Sequence, residues 1–272
     1  KELRNYIYAT DTKTTSNNRL PWSNSTTTPK LCQIYDNLKA NYTAALFPSR
    51  DWMRWEADDL DSASKQKVKV IKGYMKTKGR QGGFERVADK LVDDFILYGN
   101  CFATVEFAKE YNELPDGEVI PKYIGPRAVR ISPYDIVFNP AASSFDNTPK
   151  IIRSVISLGE LKRDIENGDT YKEEVFNRII KNRREVGSAA GSTEKMDAYI
   201  ADGFSSIQHY YGSSYVELLT FYGDIYDTAS EELLQKRMIT VVDRAYILSD
   251  EAIPSWLGHA PIFHAGWRNR PD

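Results

Sequence analysis

Val92-Asp93-Asp94-Phe95-Ile96-Leu97-Tyr98-Gly99-Asn100-Cys101-Phe102-Ala103 is the stretch where the chain changes character. Upstream of it, Phe84, Val87, Ala88, Leu91, Val92, Phe95 and Ile96 recur at helical spacing and predict one buried face. Gly99 stands where that helix should stop, because a residue without Cβ adopts the left-handed conformation of a helix end at no steric cost. From Cys101 to Phe107 the pattern alternates with period two, which predicts a half-buried strand. The sequence on the two sides of Gly99 therefore asks for two kinds of structure.

Working toward the N-terminus, two more helices are expected. Residues 61–78 carry Asp61 or Ser62 as a cap and Val68, Ile71 and Met75 on one face. Before them, Thr28 and Pro29 open a helix whose apolar stripe is Leu31, Ile34, Tyr35, Leu38, Tyr42, Ala45 and Leu46, and which Phe47-Pro48 closes. Residues 1–28 read as an extended arm, rich in Thr, Ser and Asn over 10–29.

Working toward the C-terminus, Val119–Ile124, Ala128–Ile131, Asp135–Phe138, Ile151–Leu158, Tyr215–Tyr226, Arg237–Val242 and Ala245–Leu248 are expected strands. Leu114-Pro115-Asp116-Gly117 is a turn signal. Helical stretches over Leu158–Glu166 and Tyr171–Val186, then a mobile segment over 187–206, interrupt the strands. The expected organisation is an arm over 1–28, a helical part over 29–100 and a β-rich region over 101–272, with a helical and flexible insertion at about 158–206. That segregation of helix from strand is the mark of an α+β fold.

Composition bounds the function. The chain has 272 residues, 41% hydrophobic and 27% charged, so it can bury a substantial core. Its formal charge of −2 gives no overall attraction to nucleic acid or to an acidic membrane. No apolar run is long enough to span a bilayer, and no signal peptide is read at Lys-Glu-Leu-Arg. Cys32 and Cys101 lie far apart in apolar patterns and are expected as two buried thiols in a reducing setting. Seventeen tyrosines and five tryptophans suit interfaces as well as cores.

Motifs for catalysis are weak. His209, His259 and His264 have no helical ligand spacing, and no Gly-x-Ser-x-Gly elbow or Walker phosphate loop occurs. Gly79-Arg80-Gln81-Gly82-Gly83 lacks the Lys-Ser/Thr ending and reads as an interhelical turn. Glu56, Asp58, Asp59 and Asp61 precede a helix, where capping and the helix dipole account for acids. No cofactor and no metal are expected.

The most distinctive electrostatic feature is Lys65 to Arg80, with seven bases and no acid. Lys65, Lys69, Lys72 and Lys76 fall on one helical face. Such a face can neutralise phosphates, or it can pair with the preceding acidic segment or with an acidic partner. Both readings stay open.

Four segments taken together resemble the portal proteins of short-tailed bacteriophages. They are Asn18–Ser25 with the helix Cys32–Phe47 and Pro48–Trp52; Val92–Ala103; Gly125–Pro140 with Ile152-Arg153-Ser154; and Pro261–Asp272. Their order and spacing carry the resemblance; none is a chemical motif. The resemblance implies a virion protein assembled in the host cytoplasm, a ring of about twelve copies at one capsid vertex. Double-stranded DNA would pass through that ring during packaging and ejection. Terminase, tail or connector proteins and the major capsid protein would be its partners, with no membrane and no catalytic centre.

The resemblance also implies that this chain is the N-terminal, wing-like portion of such a subunit. Gly187–Gly203 has no counterpart in it and is expected to be an insertion. A head-to-tail ring interface needs two different complementary patches per subunit. Trp52, Trp55, Tyr211 and Tyr215 are the expected contributors, and Lys65, Lys69, Lys72 and Lys76 the expected contacts to DNA or an acidic partner. Two alternatives differ in kind: another head–tail adaptor or tail component, which would be dominated by helix, and a metal-dependent nuclease or nucleotidyl transferase built on Asp58–Asp61.

Overall fold

The computed structural model describes residues 7, 30–49, 52–53, 55–56, 61–114, 118–139, 145–146, 148–167, 171, 173–185, 207–228, 231–253, 255 and 259–267. The arm over 1–28 (residue 7 apart), Asp58, Asp59 and the segment 187–206 lie outside them. The fold is α+β, with a helical start followed by a β-rich remainder. The chain divides into two compact units, residues 1–133 with 262–271, and residues 134–261.

The first unit contains α1 (Lys30–Leu46), α2 (Ser62–Gln81), α3 (Phe84–Tyr98), β1 (Asn100–Glu113), β2 (Val119–Ile131) and, from far along the chain, β8 (Ile262–Gly266). The strands form an antiparallel sheet in the order β2-β1-β8. Gly99 closes α3 in the left-handed conformation (φ 71°), its N–H donating to the Phe95 carbonyl, and the chain passes straight into β1. The helix-to-strand change thus falls inside this unit, because β1 folds back on the helix that precedes it.

Ala88 and Val92 of α3 and Phe102, Tyr123, Ile131 and Ile262 of the sheet are buried. Phe102 stands opposite both Ile131 and His264, and the His264 ring stacks on it at 4.9 Å. Tyr42, Phe95 and Trp267 meet as an aromatic triangle with centroids 5.4 to 6.4 Å apart, and the Trp267 amide donates to the Gly99 carbonyl at 2.8 Å. α1 is tied to α3 by the Tyr35 hydroxyl on Asp93 and by Lys39, 2.8 Å from Asp93 and 3.2 Å from Asp89. Arg130 grips the buried Asp94 carboxylate through two nitrogens.

Two helices depart from the expected burial. Of the α1 stripe, Tyr35 is buried but Leu31, Ile34 and Leu46 are exposed. In α2, Ile71 is exposed and Val68 and Met75 are only half-buried. The reason is how α2 is held: it is fastened by its C-terminal half, where Lys78 Nζ donates to the Ile124 carbonyl at 2.6 Å and Gly82 lies against Tyr123.

The sheet also keeps one face open. On β1, Val105, Phe107 and Tyr111 fall on one face by the period of two and are exposed, Phe107 by 64%. Ile124, opposite Lys109, and Phe263, opposite Ala103, extend this face across the neighbouring strands. β2 is one strand where two pieces are expected. Pro126 lies within it opposite Phe107, and is tolerated because β2 is an edge strand whose outer N–H groups need no ladder partner.

The second unit is a five-stranded antiparallel sheet in the order β3-β4-β5-β6-β7, formed by β3 (Ile136–Phe138), β4 (Lys150–Ser157), β5 (Tyr215–Asp227), β6 (Glu232–Val242) and β7 (Tyr246–Ala252). Between β4 and β5 come α4 (Leu158–Asn167), α5 (Glu173–Glu185) and a short α6 (Ile207–Gly212). Leu161, Phe176 and Ile179 of the helices pack with Val216, Leu218, Val242 and Leu248 of the sheet. The helical insertion is thus the cover of this sheet's core. α6 and β8 are not among the expected elements.

Cys32 and Cys101 are free thiols, half-buried where full burial is expected, and burial pushes the Cys101 thiol above its ordinary value. Among the described residues, no helix is long and apolar enough to cross a membrane.

Candidate functional site

The basic run begins at a defined cap. Asp61 Oδ1 accepts from the Ser64 amide at 2.8 Å, and hydrogen bonds from Ser64 hold the Asp61 carboxyl below its ordinary value. That bond satisfies one of the amides a helix start leaves open. α2 then runs without a break to Gln81, and Gly82-Gly83 reverses the chain into α3. Gly83 takes the left-handed conformation (φ 72°), which a residue with Cβ enters only at a cost.

This geometry sorts the cations. Lys78 turns to the sheet, its Nζ 5.3 Å from the Tyr123 ring centre and 5.8 Å from that of Tyr74. Lys72, Lys76 and Arg80 follow one another at intervals of four along the opposite side of the helix. There they line a cavity of about 510 Å³ together with Trp52, Met53, Trp55, Met75, Gly79, Phe84 and Glu85. The volume is in the range of sites that enclose a small ligand or a few side chains. Lys65 and Lys69 extend the basic row along the exposed part of α2.

The aromatic wall is built by packing. Trp52 lies flat on Phe84, with ring centres 5.3 Å apart and planes at 17°, and meets Phe47 edge-on at 5.0 Å. Both faces of this contact belong to the unit's own structure. Trp55 is 41% exposed and lines the same cavity. The groove therefore has an apolar floor of Trp, Phe and Met and a rim of cations, with Glu85 as its one acid among the lining residues.

Of the expected site residues, Trp52, Trp55, Lys72 and Lys76 come together here. Lys65 and Lys69 do not line the cavity. Tyr211 and Tyr215 belong to the second unit. Tyr215 is exposed at the start of β5. Tyr211 is half-buried beside Tyr210, with the Arg183 guanidinium 5.6 Å from its ring centre. Met53, Met75, Gly79, Arg80 and Phe84 are groove residues that the sequence alone did not single out as a site. The i, i+4, i+8 spacing of Lys72, Lys76 and Arg80 was the available signal.

A second charged cluster lies inside the second unit. Glu217 is fully buried and takes Arg153 Nε at 2.5 Å and Arg244 Nε at 2.8 Å. Burial alone would raise its carboxyl; the hydrogen bonds from Arg244 and Arg153 outweigh that and hold it below its ordinary value. Beside it, Arg183 binds both oxygens of Asp243 at 3.0–3.1 Å. Asp243 and Arg244 form the β6–β7 turn with φ of 50° and 57°, so the ion pairs clamp a turn that two non-glycine residues adopt reluctantly. Each acid in this cluster is fully matched by arginine, which makes it a fastening of the turn to α5 and β4.

Among the described residues, no group of three His, Cys, Asp or Glu is arranged to hold a metal ion. No protein-family model matches this chain, and no curated protein matches it.

Proposed function

We propose that this chain is a structural subunit of a bacteriophage portal ring. In this reading its work is geometric: copies associate head to tail around a channel for the genome, and outer surfaces receive terminase during packaging and tail or connector proteins afterwards. The observation that carries the reading is the ordered series of portal-like segments along the chain. The surface of the first unit supports it. Val105, Phe107, Tyr111, Ile124 and Phe263 lie on one open sheet face that is apolar apart from Lys109, and Leu31, Ile34, Val70 and Tyr74 add apolar surface on α1 and α2. Surfaces of that kind on one unit mark sites of association.

Trp55 and Tyr215 are exposed enough to serve as subunit contacts, whereas Trp52 acts through the wall it builds with Phe84. The cationic row over Lys65, Lys69, Lys72 and Lys76 would meet DNA or an acidic partner. Sedimentation velocity over a hundredfold concentration range tests the assembly. A closed species of fixed, large size is expected; a monomer throughout overturns the reading.

A further inference from the structure

The groove on the first unit is matched in chemistry by the tip of the β5–β6 hairpin in the second unit. Residues 224–235 carry Asp224, Asp227, Glu231 and Glu232 and no base, the inverse of the acid-free run Lys65–Arg80. At this tip Tyr226 and Leu233 stand directly opposite each other across the ladder. Their side chains therefore share one face, and they are 58% and 55% exposed. Glu231 and Glu232 are exposed at the turn next to them, with Glu232 opposite Asp227 on the other face of the ladder.

An exposed aromatic and aliphatic pair flanked by carboxylates is what an apolar floor with a cationic rim recognises. We infer that the β5–β6 tip of one copy docks in the Trp52–Trp55–α2 groove of the next. Tyr226 and Leu233 enter against Trp55, Met75 and Phe84, and Glu231 and Glu232 face Lys72, Lys76 and Arg80. Lys72 and Lys76 also make contacts within their own chain.

The contact uses two different patches of the same chain, so it is head-to-tail and propagates from copy to copy. It rests on the ring reading in one respect, that the occupant is a second copy. An acidic-apolar tip is favoured over a nucleic acid strand because the floor is lined by Met53, Met75, Phe84 and Trp55, which suits apolar side chains rather than a phosphate backbone.

A charge swap tests this. Lys72→Glu with Lys76→Glu, or Glu231→Lys with Glu232→Lys, should each weaken self-association roughly tenfold or more, and the four changes together should restore it to within about threefold. Circular dichroism melts show whether each variant folds. A second test needs no charge change. In a Cys32→Ser, Cys101→Ala background, a chain carrying Gly79→Cys is mixed with one carrying Leu233→Cys and oxidised with copper–phenanthroline. A Cβ at Gly79 meets open space, so the thiol is accommodated.

Covalent pairs joining the two different chains are expected, above the level either chain gives alone. Their absence, or charge-reversed chains that associate like the wild type, overturns the contact. Rings that persist in the charge-reversed chains overturn the contact and leave the ring reading standing. Cross-linked pairs without rings do the opposite. If Lys72→Glu with Lys76→Glu abolishes retention on DNA and leaves association unchanged, the groove belongs to nucleic acid and the contact is overturned.

Discussion

The Tyr210 hydroxyl donates to Asp243 Oδ1 at 2.6 Å and at the same time accepts the Glu217 amide proton at 2.5 Å. One fully buried oxygen thereby joins α6, the start of β5 and the β6–β7 turn. Tyr210→Phe keeps the ring but removes the oxygen, leaving a buried N–H and a buried carboxylate each short of a partner. A loss of about 2–3 kcal/mol in unfolding free energy is expected, measured by urea denaturation.

Acid should act on the neighbouring Glu217. Its carboxyl sits below its ordinary value of 4.5, so the unfolded chain binds a proton there more readily than the folded one. The stability it contributes is complete above that value and is lost as pH falls through the lower folded one. The melting temperature of the wild type should therefore drop more steeply between about pH 5 and pH 3 than that of Glu217→Gln. At neutral pH the variant should be less stable by about 2–3 kcal/mol, because it leaves Arg153 and Arg244 without their shared partner, both of them partly solvated.

Ser249 presents the reverse case. Its side chain is buried on β7 and its Oγ has no hydrogen-bond partner among the described residues. Ser249→Ala removes a polar atom held away from water, and should be neutral or stabilising by up to about 1 kcal/mol. Thermal unfolding followed by circular dichroism checks this.

The two tryptophans of the groove should separate stability from assembly. Trp52→Ala removes the wall between Phe47 and Phe84 and should cost about 2–3 kcal/mol. Trp55→Ala should cost under about 1 kcal/mol, because its ring is substantially exposed, yet it should impair ring recovery in mass photometry. Intact rings from both folded variants would remove this loop from the interface.

Local signals are legible in the sequence where one residue decides a local structure. Asp61 caps α2 and Gly99 ends α3, because a cap oxygen and a missing Cβ act on their own backbone. The long strands were less legible. The Gly125-Pro126 pair breaks the apolar alternation, yet an edge strand tolerates it. β8 is five residues long and pairs with β1 from more than 150 positions away, so nothing local announces it.

The groove was half visible. Its tryptophans and lysines each stood out, but what brings them together is the Gly82-Gly83 reversal and the stacking of Trp52 on Phe84, which are tertiary events. The exposure of Leu31, Ile34 and Ile71 was illegible for the same reason. Periodicity marks an apolar face and does not say whether the chain itself covers it.

Negative-stain electron microscopy of the purified protein addresses the portal reading most directly. Rings with an axial hole and a repeating subunit around the rim are the expected images. Isolated particles of a single chain, at concentrations where the protein stays folded, would contradict it.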